Sequence, residues 1–165
     1  MLFGGCEEEI LRPKSNLKSY VEGEIVVGWK KNLSLEEFIE TVFNENEINV
    51  IEAGNVNYVS GLPETAGKVF EEQLSAFPFI DRTTTYNYNK ELKRWEVEFW
   101  ISGFVKENIK DWNTLLCRLQ LKHSPNGFQS GLIKVIKGKE KKWIKNLSQS
   151  ELFRFVDLNY LVKSI

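Results

Sequence analysis

Hydrophobic and polar positions alternate through EGEIVVGWKK. Ile25, Val27 and Trp29 fall on one side and Glu24, Val26, Gly28 and Lys30 on the other, so this β-branched run predicts a strand. The period then changes. In SLEEFIETVFNENE, the residues Leu35, Phe38, Ile39, Val42 and Phe43 recur at the spacing of one helix face, with Glu36, Glu37 and Glu40 mostly off it. Ser34 is placed to cap this helix, Glu37 to close a capping box and Leu33 to staple onto Phe38. INVIEAGNVNYV reads as a strand with an interruption at Gly54. PETAGKVFEEQLSAF reads as a helix with Pro63 in its first turn; Ala66, Val69, Phe70, Leu74 and Phe77 form its stripe, and Pro78 stops it.

RTTTYNYN and RWEVEFWISGF flank the polar loop KELK and predict a hairpin. In its second strand Trp95, Val97, Phe99 and Ile101 share one face, and Glu96, Glu98 and Trp100 the other. NIKDWNTLLCRLQL is a helix carrying Ile109, Trp112, Leu115, Leu116 and Leu119, and HSPNGFQSG is a loop. SGLIKVIKG, GKEKKWIKNLSQ and LFRFVDLN then read as strand, helix and strand. The order is βαβ, α, β-hairpin, α, βαβ with short links. It favours an α+β fold with an antiparallel-rich sheet and helices on one side. Residues 7–20 are polar, contain Pro13 and show no period, so they read as a tether.

Composition narrows the function classes. A chain of 165 residues suits one domain. Lys plus Arg is 22 against 23 for Asp plus Glu, and without a basic excess no nucleic-acid partner is expected. The two cysteines, Cys6 and Cys117, form no CxxC, and His123 is the one histidine. A disulfide framework is excluded, and no metal or cofactor is expected. No apolar run approaches the roughly 18–20 residues of a membrane-spanning helix.

Two stretches resemble a known family. VEGEIVVGWKKNLSLEEFIETV looks like the opening of a subtilisin-propeptide-like domain, an extended strand followed by a serine-capped amphipathic helix. LIKVIKGKEKKWIKNLSQSELFRFVDLN looks like the same family's ending, with Gly138, Glu140, Trp143, Ile144, Leu147, Val156 and Asn159 at the matching positions. The resemblance covers roughly residues 21–50 and 131–160 and implies a ferredoxin-like βαββαβ core. The family joins its halves by a short connection, whereas here an insert over about 56–128 carries two helices and a hairpin. Such domains chaperone or inhibit a subtilisin-like protease, and the segment after the last strand lies extended in its cleft. Carried onto this chain, that partner-binding segment begins Tyr160, Leu161, Val162 and Lys163. Read from the residues alone, LNYLV finishes the last strand and packs on the core.

The opening MLFGGCEEEI resembles the last positions of a lipobox, with small residues before Cys6 and acidic residues after it. Only Leu2 and Phe3 could belong to an apolar leader region, which normally runs to about 7–15 residues. The expectation is a leader stub and polar tether over 1–20, lipidation at Cys6, and a single α+β domain over 21–165. Two acyl signals suffice for stable anchoring. The membrane contact is thus a lipid anchor, placing the chain at the cell envelope, on the outer membrane or surface, with a cytoplasmic location as the alternative.

The remaining constellations are weaker. Leu62-Pro63-Glu64-Thr65-Ala66 resembles a sortase signal but sits at a helix start. Glu96 and Glu98 are spaced about 7 Å apart on one strand face, near the separation paired-carboxylate glycosidases use. Trp100 shares that face, and Tyr86 or Tyr88 across the hairpin are its candidate neighbours. Exposed, these aromatics would stack on a sugar ring; covered, they are core. Cys117 reads as a small buried hydrophobe. The function expected is that of a non-catalytic, protein-binding envelope domain with propeptide or inhibitor character. The alternatives are a cytosolic interaction or immunity-type protein, and a carbohydrate-binding surface or enzyme of unknown reaction.

Overall fold

The computed structural model of the chain describes residues 19–44, 48–125 and 129–161. Cys6, most of the tether, Val162 and Lys163 lie outside the described residues. In chain order the elements are β1 (Tyr20–Trp29), α1 (Leu35–Phe43), β2 (Ile48–Ser60), α2 (Gly67–Ser75), β3 (Thr85–Asn89), β4 (Arg94–Phe104), α3 (Ile109–Arg118), β5 (Leu121–His123), β6 (Gln129–Val135), α4 (Glu140–Ser148) and β7 (Phe153–Tyr160). The fold is α+β. Among the described residues, seven strands form one sheet in the order β3-β4-β2-β6-β1-β7, with the short β5 paired to the end of β2. All pairings are antiparallel. The hairpin β3–β4 therefore widens the sheet beyond β2 rather than covering it.

One face of the sheet and the apolar stripes of the helices make a continuous core. Ile25, Val27 and Trp29 of β1 meet Ile51, Val56 and Tyr58 of β2 and Val97 and Phe99 of β4 there. The helices add Phe38 and Val42, Phe70 and Leu74, Trp112 and Leu115, and Trp143 and Leu147. The capping box forms as the sequence predicts: Glu37 N–H donates to Ser34 Oγ at 3.3 Å, and Ser34 N–H to Glu37 Oε2 at 2.7 Å.

Several local expectations are corrected. Cys117 is exposed, because Trp112, Leu115 and Leu119 define the buried face of α3 and Cys117 lies off it. Val69 is exposed on α2, where Phe70 and Leu74 alone reach the core. The helix after Pro63 begins as a 3₁₀ turn, Glu64–Ala66. Strand β5 lies where the sequence reads as helix end and loop, because three residues carry no detectable period.

Two register shifts decide what reaches the opposite face of the sheet, called here the open face. In β2, Ala53 pairs with Ile101 and Val56 with Phe99, so Gly54 and Asn55 together oppose Trp100. This is a β-bulge, and Asn55 takes the left-handed φ of 57° that asparagine tolerates. In β7, Phe153 pairs with Trp29 and Phe155 with Gly28, leaving Arg154 as the extra residue. Phe153 thus packs on the core, edge to face with Phe38 at 6.2 Å, while Phe155 turns to the open face.

Candidate functional site

The open face has an aromatic part and a polar part. Trp100 is 39% exposed and lies over Gly54: a Cβ built on Gly54 would come 2.6 Å from its Cζ3. The absence of a side chain at Gly54 is what lets the indole lie down on the strand. Phe155, also 39% exposed, covers Gly28 in the same way. Gly28 pairs with Ser130, and Ser130 pairs with Gly54. A single cross-strand row, Gly28–Ser130–Gly54, therefore runs between the two rings.

Trp100 is held at both its backbone and its ring. Its N–H donates to Thr84 Oγ1 at 3.0 Å, and its carbonyl accepts from Asp81 N–H at 2.8 Å and Thr84 Oγ1 at 3.1 Å. The indole N–H donates to Glu98 Oε1 at 3.1 Å. Beside it, Asp81 accepts from the Thr83 hydroxyl at 2.7 Å and the Thr83 N–H at 2.8 Å. These bonds hold the Asp81 carboxyl below its ordinary pKa. A cleft of about 430 Å³ runs from Trp100, Asp81 and Thr83 past Gly54 to Ser130, Leu132 and Val26. Glu52 on its wall pairs with Lys134 at 3.0 Å, which raises the Lys134 pKa.

The polar part is a smaller hollow of about 230 Å³ among Asn57, Asn87, Arg94, Glu96 and Glu98. Arg94 donates to Glu96 Oε1 through Nε at 3.2 Å and Nη2 at 2.9 Å. The guanidinium holds the Glu96 carboxyl below its ordinary pKa. A general acid for glycoside cleavage needs the opposite shift, so Glu96 is set up as an ionised partner of Arg94.

Tyr86 and Tyr88 are not neighbours of Trp100. They pair with Val97 and Trp95 on the helix side of the sheet, where Tyr86 stacks 5.9 Å from Phe70 and Tyr88 meets the Trp95 ring at 5.4 Å. Within β4 alternation sends Trp95 and Val97, the partners of the two tyrosines, to that face and Trp100 to the other. Phe155 is the second aromatic of the open face, and sequence reasoning missed it. The glycine opposite it, Gly28 at an outward strand position, was the readable signal.

The tail begins at the other end of the sheet. Strand β7 is an edge strand; Tyr160 pairs with Tyr20, and Leu161 N–H donates to Ser19 carbonyl at 2.8 Å. Tyr160 and Leu161 are 39% and 55% exposed.

His123 belongs to a structural cluster on the helix side. Gln129, fully buried, accepts from Trp29 Nε1 at 2.8 Å and donates from Nε2 to the Lys31 carbonyl at 3.1 Å. The same amide nitrogen lies 3.2 Å from His123 Nε2. An amide nitrogen only donates, so this imidazole nitrogen accepts and the ring is neutral. Burial lowers the His123 pKa, against the pull of the Glu36 carboxylate. Glu36 in turn accepts from Tyr58 Oη at 2.5 Å. Gln129 thereby ties β6 to β1 and to the residues after it, and Tyr58 ties β2 to α1.

No protein-family model matches the chain, and neither a curated protein nor a solved structure matches it. The likeness to subtilisin propeptides rests on the residues quoted above.

Proposed function

We propose that this chain is a non-catalytic binding domain built on a ferredoxin-like core, and that it takes its ligand on the open face of the sheet. The observation that carries this reading is Trp100, a large aromatic held by four hydrogen bonds, three at its backbone and one at its indole, yet left 39% exposed over a glycine. Burying such a ring against a ligand is favourable by the usual area rule. The core assignment draws support from strand order. With the hairpin and β5 set aside, the order β2-β6-β1-β7 links two antiparallel-packed βαβ units through α1 and α4.

A second reading draws on the edge strand β7 and its exposed Tyr160 and Leu161: a propeptide-like inhibitor whose tail enters a subtilisin-like protease. One experiment addresses both. The chain, its Trp100→Ala variant and a form lacking residues 160–165 are compared for inhibition of a subtilisin-class protease. They are also compared for ligand-induced changes in tryptophan emission across a panel of peptides and glycans. Ligand binding that is lost in Trp100→Ala supports the open face. Inhibition lost only on removing the tail favours the second reading, and binding indifferent to Trp100 sinks the first.

Anchoring at the envelope through Cys6 is part of the proposal. It predicts that intact mass of the protein from its native cell shows an acylated amino-terminal Cys6. A mature protein with an unmodified Cys6 thiol would remove the anchor.

A further inference from the structure

The geometry points to a short, neutral, β-linked oligosaccharide as the ligand of the open face, stacked on Trp100 and Phe155 across the Gly28–Ser130–Gly54 row. This rests on the reading of the open face as the binding surface.

The two rings are alike in a way that core packing does not require. Each lies over a glycine, so one face of the ring is covered by backbone, and each is 39% exposed. Each also reaches the open face opposite or beside a β-bulge, at Gly54–Asn55 and at Arg154. Bulges re-aim side chains at binding sites. Without the one at Arg154, Phe155 would share the face of Phe153 and enter the core.

Spacing favours an oligomer over a single ring. Gly28 and Gly54 flank Ser130 on adjacent strands, so the platforms above them are separated by two strand spacings, about 10 Å. No monosaccharide spans that distance. An extended β-linked chain presents successive ring faces along a line and does.

The groups between and beside the platforms suit hydroxyls. Ser130 lies in the floor, and the Asp81 carboxylate, with the Thr83 hydroxyl bound to it, stands at the rim. A pyranose offers C–H groups on its face and hydroxyls at its edge, so it meets aromatic platforms and polar rim together. The charge pattern selects against anionic ligands. A phosphate or uronate would face Asp81, Glu98 and Glu52, with Lys134 already paired to Glu52. Thr84 and Asp81 hold the Trp100 backbone and Glu98 holds its indole N–H before any ligand arrives, so little ordering cost falls on binding.

The test is an NMR titration of the ¹⁵N-labelled chain with β-1,4-linked glucose and N-acetylglucosamine saccharides, from monomer to hexamer. Expected are shifts at the Trp100 indole N–H, Gly54 and Ser130, with affinity rising with chain length as both platforms engage. Trp100→Ala and Phe155→Ala should each weaken binding by about tenfold, the loss of one aromatic contact. Gly54→Ala, which pushes the indole off the strand while keeping it present, should weaken binding similarly; spectral dispersion reports that each variant is folded. No saccharide shifting these resonances, or affinity unchanged in the folded Trp100→Ala variant, overturns the oligosaccharide. If a peptide or protease probe then shifts the same residues, the open face still stands as the binding surface. Shifts confined to the helix side for every probe overturn both.

Discussion

Glu140→Ala is expected to destabilise the fold by about 3 kcal/mol, the loss of charge-assisted bonds to buried backbone donors. Glu140 opens α4, and its side chain is turned inward, leaving the residue 3% exposed. One oxygen accepts from Gly23 N–H at 2.6 Å and from Gly138 N–H at 3.0 Å. Both glycines have left-handed φ, 82° and 83°, where any other residue would be strained. The carboxylate therefore ties the start of β1 to the turn before α4, across 117 positions of the chain. Burial alone would raise its pKa. The N–H groups of Glu140, Gly138 and Gly23 outweigh burial and hold it below the ordinary 4.5. The sign of the pH dependence follows. A depressed carboxyl pKa contributes stability that is fully present above the unfolded value and is lost as pH falls through the folded one. Chemical denaturation at neutral and at acid pH checks this: Glu140→Ala and Glu140→Gln should both flatten the acid limb relative to the parent chain. Equal stability of Glu140→Ala and parent at neutral pH would show that the tie is idle.

Two residues of this tie, Gly138 and Glu140, were readable in the sequence, but neither their role nor their partner Gly23 was. Gly138 and Glu140 stand out as a Gly-x-Glu before a helix, and the capping box at Ser34, the stripes of α1 and α3 and the β3–β4 hairpin follow from local pattern. Each depends on residues close in sequence, where periodicity and capping act. What failed to show depends on partners far away. The core residues of β2 change parity between Ala53 and Val56, and the interruption read at Gly54 is the bulge that allows it. A fixed period of two cannot anticipate such a shift. The same limit hid Phe155, which a strict alternation from Phe153 places in the core. It also paired Tyr86 and Tyr88 with Trp100, although register sets them on the other face. Trp100 itself was assigned to the outward face because β4 keeps strict alternation from Trp95 to Ile101.

Gly131→Ala is expected to cost about 2–3 kcal/mol, the upper range for overpacking a site that cannot relax. Gly131 sits in β6, paired with Val27 on one side and Ala53 on the other. A Cβ there would run into the Glu52 carbonyl oxygen and lie 3.2 Å from Cζ3 of Trp29. Neither neighbour can yield. The carbonyl is backbone of the adjacent strand. Trp29 is fully buried, stacked on Phe38 at a centroid distance of 4.2 Å and bonded through its N–H to Gln129. The contrast is Gly54→Ala, whose new methyl meets the exposed end of a side chain rather than backbone; it displaces the indole from its seat and from Glu98 into solvent, and the expected cost is within about 1 kcal/mol. Thermal and urea unfolding of the two variants side by side separates a strand that needs glycine for close backbone approach from one that needs it to seat a ring. Equal destabilisation by both substitutions would mean that Trp100 is as fixed as the core. A neutral Gly131→Ala would mean that β2 and β6 have more freedom to part than their pairing implies. The predicted asymmetry makes β6 the rigid floor between two platforms, with Trp100 seated on its edge by Gly54 and Glu98 rather than by core packing.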